Sequence, residues 1–117
     1  MSGIVSFLKG LGAEDGVERF YQARGAETVA RRWQRPGGEV DLIMRDREGL
    51  IFVEVKSSRT IDRALARLGA SQIARLLSCA EEFLATWPSG SLTNLRFDVA
   101  AVDGTGRIEV VENALSA

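Results

Sequence analysis

Residues 38–45, Gly-Glu-Val-Asp-Leu-Ile-Met-Arg, and residues 50–57, Leu-Ile-Phe-Val-Glu-Val-Lys-Ser, decide the fold. Both are short, largely apolar runs, and the polar Asp46-Arg47-Glu48-Gly49 between them reads as a turn. A loop over those four residues sets a hairpin register in which Arg45 faces Leu50, Met44 faces Ile51, Leu42 faces Val53 and Val40 faces Val55. Strand side chains alternate between the two faces of a sheet. One face of the hairpin is therefore wholly apolar and is expected to lie against a helix. The other pairs Ile43 with Phe52, Asp41 with Glu54, and Glu39 with Lys56. A slip of one residue would scramble the apolar face, so the pattern itself supports the register.

That register sets two carboxylates opposite each other. Facing Cβ atoms lie about 4.5–5.5 Å apart, and like charges there are destabilising. Folded domains have little stability to spare. Three compensations are open. A divalent cation such as Mg²⁺ takes hard oxygen ligands and commonly uses one or two carboxylates, keeping places for water and phosphate. Lys56 follows Glu54 by two residues on the same face. One carboxyl can also hold a proton, as close acid pairs do. The bland alternative is a half-solvated hairpin whose charges sit in water. A strand Glu-x-Lys is common by itself. The facing Asp and the strongly apolar neighbours set this one apart and point to a central hairpin. With a cation present, the set suits phosphodiester hydrolysis: the metal polarises the phosphoryl oxygen and acidifies a bound water, and a lysine beside it steadies the developing charge.

The rest of the chain supplies the cover. Residues 12–24 read as a helix with Ala13, Val17, Phe20 and Tyr21 on one stripe, and Gly25 is placed to end it. Residues 27–33 can form a short strand, and Arg35-Pro36-Gly37-Gly38 is a turn. Residues 58–70 fit either a loop or a helix start. Residues 71–87 form the clearest helix, with Ile73, Leu76, Leu77, Ala80, Phe83 and Leu84 at helical spacing, and residues 88–91 break it. Residues 95–102 and 107–111 make a second hairpin, turning at Asp103-Gly104-Thr105-Gly106. The expected order is α-β-β-β-α-β-β, an α/β fold with a mixed sheet covered by helices, in a single domain over residues 1–117.

Composition narrows the chemistry. The 117 residues include no His, which removes imidazole acid–base chemistry and imidazole metal sites. The one Cys, Cys79, allows neither an internal disulfide nor a thiolate metal cage; among apolar helix residues it reads as a small buried hydrophobe. What survives is carboxylate and lysine chemistry. No apolar run approaches the roughly 20 residues of a membrane span. The stretch 1–11 lacks a basic start and a small-residue cleavage pattern, so no signal peptide is expected and the cytoplasm is the expected setting. Net charge is −1, which argues against strong nonspecific nucleic-acid binding. The charge is uneven, however. Residues 1–75 carry 13 basic and 10 acidic groups, residues 76–117 carry 2 and 6, and 13 of the 15 bases are Arg. Arginine's planar fork matches phosphate better than lysine does.

Gly38-Glu39-Val40-Asp41-Leu42-Ile43 followed by Ile51-Phe52-Val53-Glu54-Val55-Lys56 resembles the YraN-like family of uncharacterised proteins. Its members look like nucleases of the PD-(D/E)XK, restriction-endonuclease-like superfamily, with similarity to Holliday-junction resolvases. The resemblance extends to Gly12-Ala13-Glu14, residues 80–84, Arg96-Phe97-Asp98-Val99 and Glu112-Asn113-Ala114-Leu115. It implies a restriction-endonuclease-like three-layer α/β/α fold with a central mixed sheet. It also implies Asp41 and Glu54 as metal-binding acids, Lys56 as the catalytic lysine, Glu14 as an additional helix carboxylate and Glu39 beside the site, serving Mg²⁺ or Mn²⁺. Three positions depart from the pattern: Val40 replaces the proline before Asp41, Arg31-Arg32-Trp33 stands where Arg-Asn and an aromatic are usual, and a basic residue is usual near Gln72. The implied activity is hydrolysis of DNA, on branched or flap structures, by an enzyme that a homodimer would suit when two strands are cut. A non-catalytic module of the same fold, binding nucleic acid or a protein partner, is the competing expectation.

Two basic groups are candidates for phosphate contact: Arg31, Arg32 and Arg35 beside the turn, and Arg59, Arg63 and Arg67, which share one face if their segment is helical. Ordinary surface ion pairing is the competing role for each. Trp33 and Trp87 are expected in the core or at helix ends rather than as stacking platforms. Gly104 and Gly106 lack the strand–loop–helix setting of a nucleotide loop.

Overall fold

The computed structural model describes residues 3–115. Of the N-terminal stretch read for a signal peptide, residues 1 and 2 lie outside the described residues. Helix α1 (Gly3–Gln22) leads into strands β1 (Glu27–Arg35), β2 (Gly38–Arg45) and β3 (Leu50–Ser57). Helices α2 (Ile61–Ala66) and α3 (Ala70–Leu84) follow, then a 3-10 turn at Gly90–Leu92 and strands β4 (Leu95–Val102) and β5 (Ile108–Val111). The sheet order is β1-β2-β3-β4-β5. All neighbours are antiparallel except β3 and β4, which run parallel. A parallel pair needs a crossover connection, and α2 with α3 provides it.

Two apolar clusters explain why the sheet is buried on both faces. Ala13, Val17 and Tyr21 of α1 pack on Leu42, Met44, Ile51 and Val53 of the central hairpin. Leu76, Cys79, Ala80 and Phe83 of α3 pack on Ile43, Leu50 and Phe52 from the other side. The result is a mixed five-stranded sheet with a helix on each face. No described helix is long and apolar enough to cross a membrane.

The expected register holds through four pairs, Arg45–Leu50, Met44–Ile51, Ile43–Phe52 and Leu42–Val53, and stops there. Asp41 and Glu54, Val40 and Val55, and Glu39 and Lys56 are not ladder partners. The continuous apolar face expected beyond Leu42 is absent: Val40 packs in the α3 cluster, while Val55 packs against the α1 cluster. The physical cause lies at Asp41. Its Oδ2 accepts the Val55 backbone N–H at 2.8 Å, so a side chain takes a donor that continued pairing would have used. Strand β1 is irregular along the same stretch. Arg32, between the partners of Leu42 and Val40, has φ 48°, and a further register shift lies between Thr28 and Ala30, opposite Met44 and Ile43.

Other differences are local. Helix α1 begins at Gly3 rather than near Gly12, and β1 continues to Arg35. The ambiguous segment is a short helix, started by the Thr60 hydroxyl accepting the Arg63 N–H. Helix α3 stops at Leu84 rather than Trp87, where the Thr86 hydroxyl donates to the Phe83 carbonyl. Leu77, expected on the apolar stripe, is 42% exposed. Gly25 ends α1 with φ 91°, as expected of a residue without Cβ. Trp87 packs on Phe83, and so does Trp33.

Gly49 ends the β2–β3 turn at φ 144°, and a Cβ there would come within 2.3 Å of the Asn94 carbonyl oxygen. That carbonyl also accepts the Leu50 N–H at 2.9 Å. Gly49→Ala should therefore destabilise the fold by about 1–3 kcal/mol. Urea unfolding followed by circular dichroism measures this, and an unchanged midpoint would contradict the close approach.

Candidate active site

Beyond Leu42 and Val53 the central hairpin opens into a fork, and the two carboxyls lie in it. Asp41 is half-buried on β2, and Glu54 on β3 is only 5% exposed. At Glu54 the strand remains paired with β4, in register with Val99. The two carboxyls hydrogen-bond each other. Each is also held from outside the pair. Val55 N–H donates to Asp41 Oδ2, and Gln72 Nε2 donates to Glu54 Oε2 at 2.8 Å.

Desolvation is the largest influence on Glu54, because burial disfavours the charged form. The hydrogen bond to Asp41 and then its charge act in the same direction, and together they push the Glu54 pKa up to about 9. Lys56 opposes this more weakly, and Glu39 adds to it. With no cation bound, burial and the neighbouring Asp41 both favour the protonated form of Glu54. Of the three compensations open from sequence, protonation is the one these influences favour.

Lys56 is half-buried at the C-terminal end of β3, near enough to bias Glu54 electrostatically. Among the described residues it forms no ion pair. Glu39, expected opposite Lys56, instead accepts a hydrogen bond from Gln34 Nε2 at 2.8 Å and is exposed at the rim. Glu14 reaches the site from α1. Burial raises its pKa first, a hydrogen bond from Arg32 lowers it, and the charge of Asp41 raises it again. The Arg32 Nε–Glu14 Oε1 distance is 2.8 Å. The fork thus brings together Asp41, Glu54 and Lys56, with Glu14 at one remove and Glu39 outside. Among the described residues no group of three Asp, Glu, His or Cys side chains is placed to hold a metal. The donor set is the two carboxyls.

The arginines are dispersed. Arg31 is bound to Glu18, and Arg32 to Glu14. Arg35 stacks over Trp33, 4.2 Å from the ring centre. Arg59, Arg63 and Arg67 do not share one helical face, since α2 spans only Ile61–Ala66 and holds only Arg63. Arg67 Nη1 donates back to the Ser57 carbonyl at 2.6 Å, while Arg59 and Arg63 are exposed. The hollows lined by Asp46, Asn94 and Arg96 and by Tyr21 and Glu112 lie at the other end of β3. Arg96 there is already held by Asp98 and Glu112.

Two polar residues escaped the reading of the sequence. Gln72 stands one turn before Leu76 on the stripe that α3 buries, and a polar residue on such a stripe was the available signal. Asp98 is fully buried in β4 and accepts from the Tyr21 hydroxyl at 2.6 Å, from Arg96 and from the Asn113 N–H. It ties α1 and the segment after β5 to the sheet. An acid inside the run Val-Ala-Ala-Val and Phe97 was its signal.

Residues 13–102 match the model of a family described as uncharacterised protein family UPF0102. A UPF0102 protein of Ruegeria pomeroyi is 54% identical over 112 residues, covering 96% of this chain and 91% of the relative. One from Cereibacter sphaeroides is 50% identical over 117 residues, the whole of both chains. One from Roseobacter denitrificans is 43% identical over 115 residues, covering 98% of this chain and 89% of the relative. The matched span contains Glu14, Asp41, Glu54, Lys56 and Gln72.

The raised Glu54 pKa has a definite sign in stability. The folded state binds a proton that the unfolded chain has released, so this contribution is full below the ordinary Glu range and is lost as pH rises toward about 9. In metal-free buffer, Glu54→Gln should raise the thermal midpoint at pH 8 and change it little at pH 4.5. Calorimetric melting of both proteins across that range checks this. An equal effect of the substitution at both pH values would contradict the buried, protonated acid.

Proposed function

This chain belongs to the UPF0102 family, and we propose that it is a metal-dependent nuclease of the PD-(D/E)XK, restriction-endonuclease-like type, hydrolysing DNA phosphodiester bonds on branched or flap structures. The observation that carries this is the buried carboxyl pair Asp41–Glu54 beside Lys56 in the fork of a central hairpin. Burying two acids side by side is costly in a fold without a partner cation. The donor chemistry fits a hard divalent ion, which commonly takes one or two carboxylates and fills its other positions with water and phosphate. Asp41 and Glu54 would hold Mg²⁺ or Mn²⁺. When bound, such an ion supplies Lewis-acid polarisation of a phosphoryl oxygen and a more acidic water.

The chain's own residues account for the remainder. Val55 N–H and Gln72 fix the two carboxyls, so they need little reorganisation on loading. Lys56 contributes a positive charge toward the phosphate as negative charge builds in hydrolysis. Glu14, steadied by Arg32, adds a further carboxylate toward the Asp41 side. Arg59 and Arg63, exposed and following β3 in the chain, are candidate contacts for a DNA backbone. Arg31, Arg32 and Arg35 would contribute through the charge of their strand. A homodimer with one site for each strand of a duplex, working in the cytoplasm, suits this chemistry.

A second reading is favoured by one observation: among the described residues no third metal-ligating side chain joins the pair. The same fold would then serve as a non-catalytic module that binds nucleic acid or a protein partner.

Incubation with single-stranded, duplex, flap and four-way-junction DNAs in Mg²⁺ or Mn²⁺ separates the two. The nuclease predicts cleavage that needs the ion, disappears in Asp41→Asn, and falls about 100-fold or more in Lys56→Ala while circular dichroism stays native. Cleavage equal in both variants would mark a contaminant. Binding without cleavage, indifferent to the ion, would establish the module instead.

A further inference from the structure

Among the groups that hold the acid pair, Gln72 is the one supplied by a different layer of the fold. We propose that Gln72 is a positioning residue for the metal centre: its carboxamide pins Glu54 in the orientation that a divalent cation requires. This rests on the metal-site reading above and deepens it.

The geometry is a chain of hydrogen bonds. Val55 N–H holds Asp41, the two carboxyls hold each other, and Gln72 Nε2 holds Glu54 Oε2 at 2.8 Å. Asp41 is anchored by backbone of the sheet itself. Glu54 has a longer side chain, and Gln72, which holds it from outside the pair, comes from α3. Without that partner only Asp41 restrains the Glu54 carboxyl, whose terminal torsion is broad. Gln72 can hold it because of where α3 begins. The helix starts at Ala70, and the stripe Leu76, Ala80 and Phe83 is locked onto Ile43, Leu50 and Phe52. Gln72 extends that stripe by one turn, past the end of the apolar patch and over the fork. Being uncharged, it donates without competing with a cation for the carboxylate. Groups that orient metal ligands in this way typically account for 10–100-fold in metal affinity.

Orientation also bears on selectivity. Mg²⁺ and Mn²⁺ demand a tighter, more regular shell than Ca²⁺, which accepts flexible ligands. Releasing Glu54 should therefore hurt Mn²⁺ more than Ca²⁺.

The test uses Gln72→Met, which keeps a straight helix-forming side chain and removes the donor. Calorimetry and, for Mn²⁺, electron paramagnetic resonance measure affinities of both ions for the wild type, Gln72→Met and Asp41→Asn. Melting in EDTA reports on the fold. The expected result is a Mn²⁺ affinity weakened about 10-fold or more in Gln72→Met, a smaller loss for Ca²⁺, and a metal-free melting temperature within a few degrees of wild type. Equal Mn²⁺ affinity and an unchanged Mn²⁺-to-Ca²⁺ ratio would overturn the positioning role and leave the nuclease reading standing. A collapse of the metal-free fold would also overturn it, marking Gln72 as structural. Failure of the wild type itself to bind Mn²⁺ would overturn both.

Discussion

Two carboxyls held side by side where the central hairpin forks are the constraint around which the rest of the structure is arranged. Buried like-charged groups cannot both ionise cheaply, and the fold does not place them on a ladder where that repulsion would be fixed. Instead β2 and β3 separate after Leu42–Val53, and Asp41 reaches across to the Val55 N–H. Burial and the neighbouring Asp41 favour a proton on Glu54 when no ion is present. The same proton is what a divalent cation would displace. A site of this kind can be stable when empty and still be ready for loading.

Each layer contributes to that arrangement. The apolar clusters on either face hold α1 and α3 against the sheet. Helix α1 delivers Glu14, which Arg32 binds from a strand position with φ 48°. A non-glycine residue in that conformation is strained, and such strain persists where the surroundings over-determine it. Helix α3 delivers Gln72. Asp98, in the middle of β4 and in register with Val53, fastens Tyr21 of α1 and the Asn113 backbone to the sheet, which fixes the helix that carries Glu14. The acid pair thus draws on the main chain of β3 and, through Gln72, on α3, while α1 brings Glu14 and Arg32 to its edge.

Much of this was legible in the amino-acid sequence. The bounds of β2, β3 and β4 follow from apolar runs punctuated by Asp46–Gly49 and Asp103–Gly106, and the hairpin register follows from its apolar face. The acid pair and Lys56 stood out because charged residues interrupt those runs. What failed did so for local reasons. Alternation assumes a continuous ladder, and it misplaced Val40 and Glu39 once Asp41 broke the pairing. Short α2 was hidden because six residues give too little periodicity. The pairing of Arg31 with Glu18 and of Arg32 with Glu14 joins residues on α1 and β1, and no spacing along the chain encodes it. Gln72 was marked only by its polarity on the apolar stripe of α3, and its partner, 18 residues away on another layer, was not encoded by any spacing.

The most direct measurement is a ¹³C nuclear magnetic resonance titration of the Glu54 carboxyl in the metal-free protein, repeated with Mg²⁺. The Glu54 carbon is expected to report a protonated acid at pH 7 and to shift to the ionised form when Mg²⁺ is added. A Glu54 that ionises near the ordinary carboxylate range, with no response to Mg²⁺, would contradict that expectation.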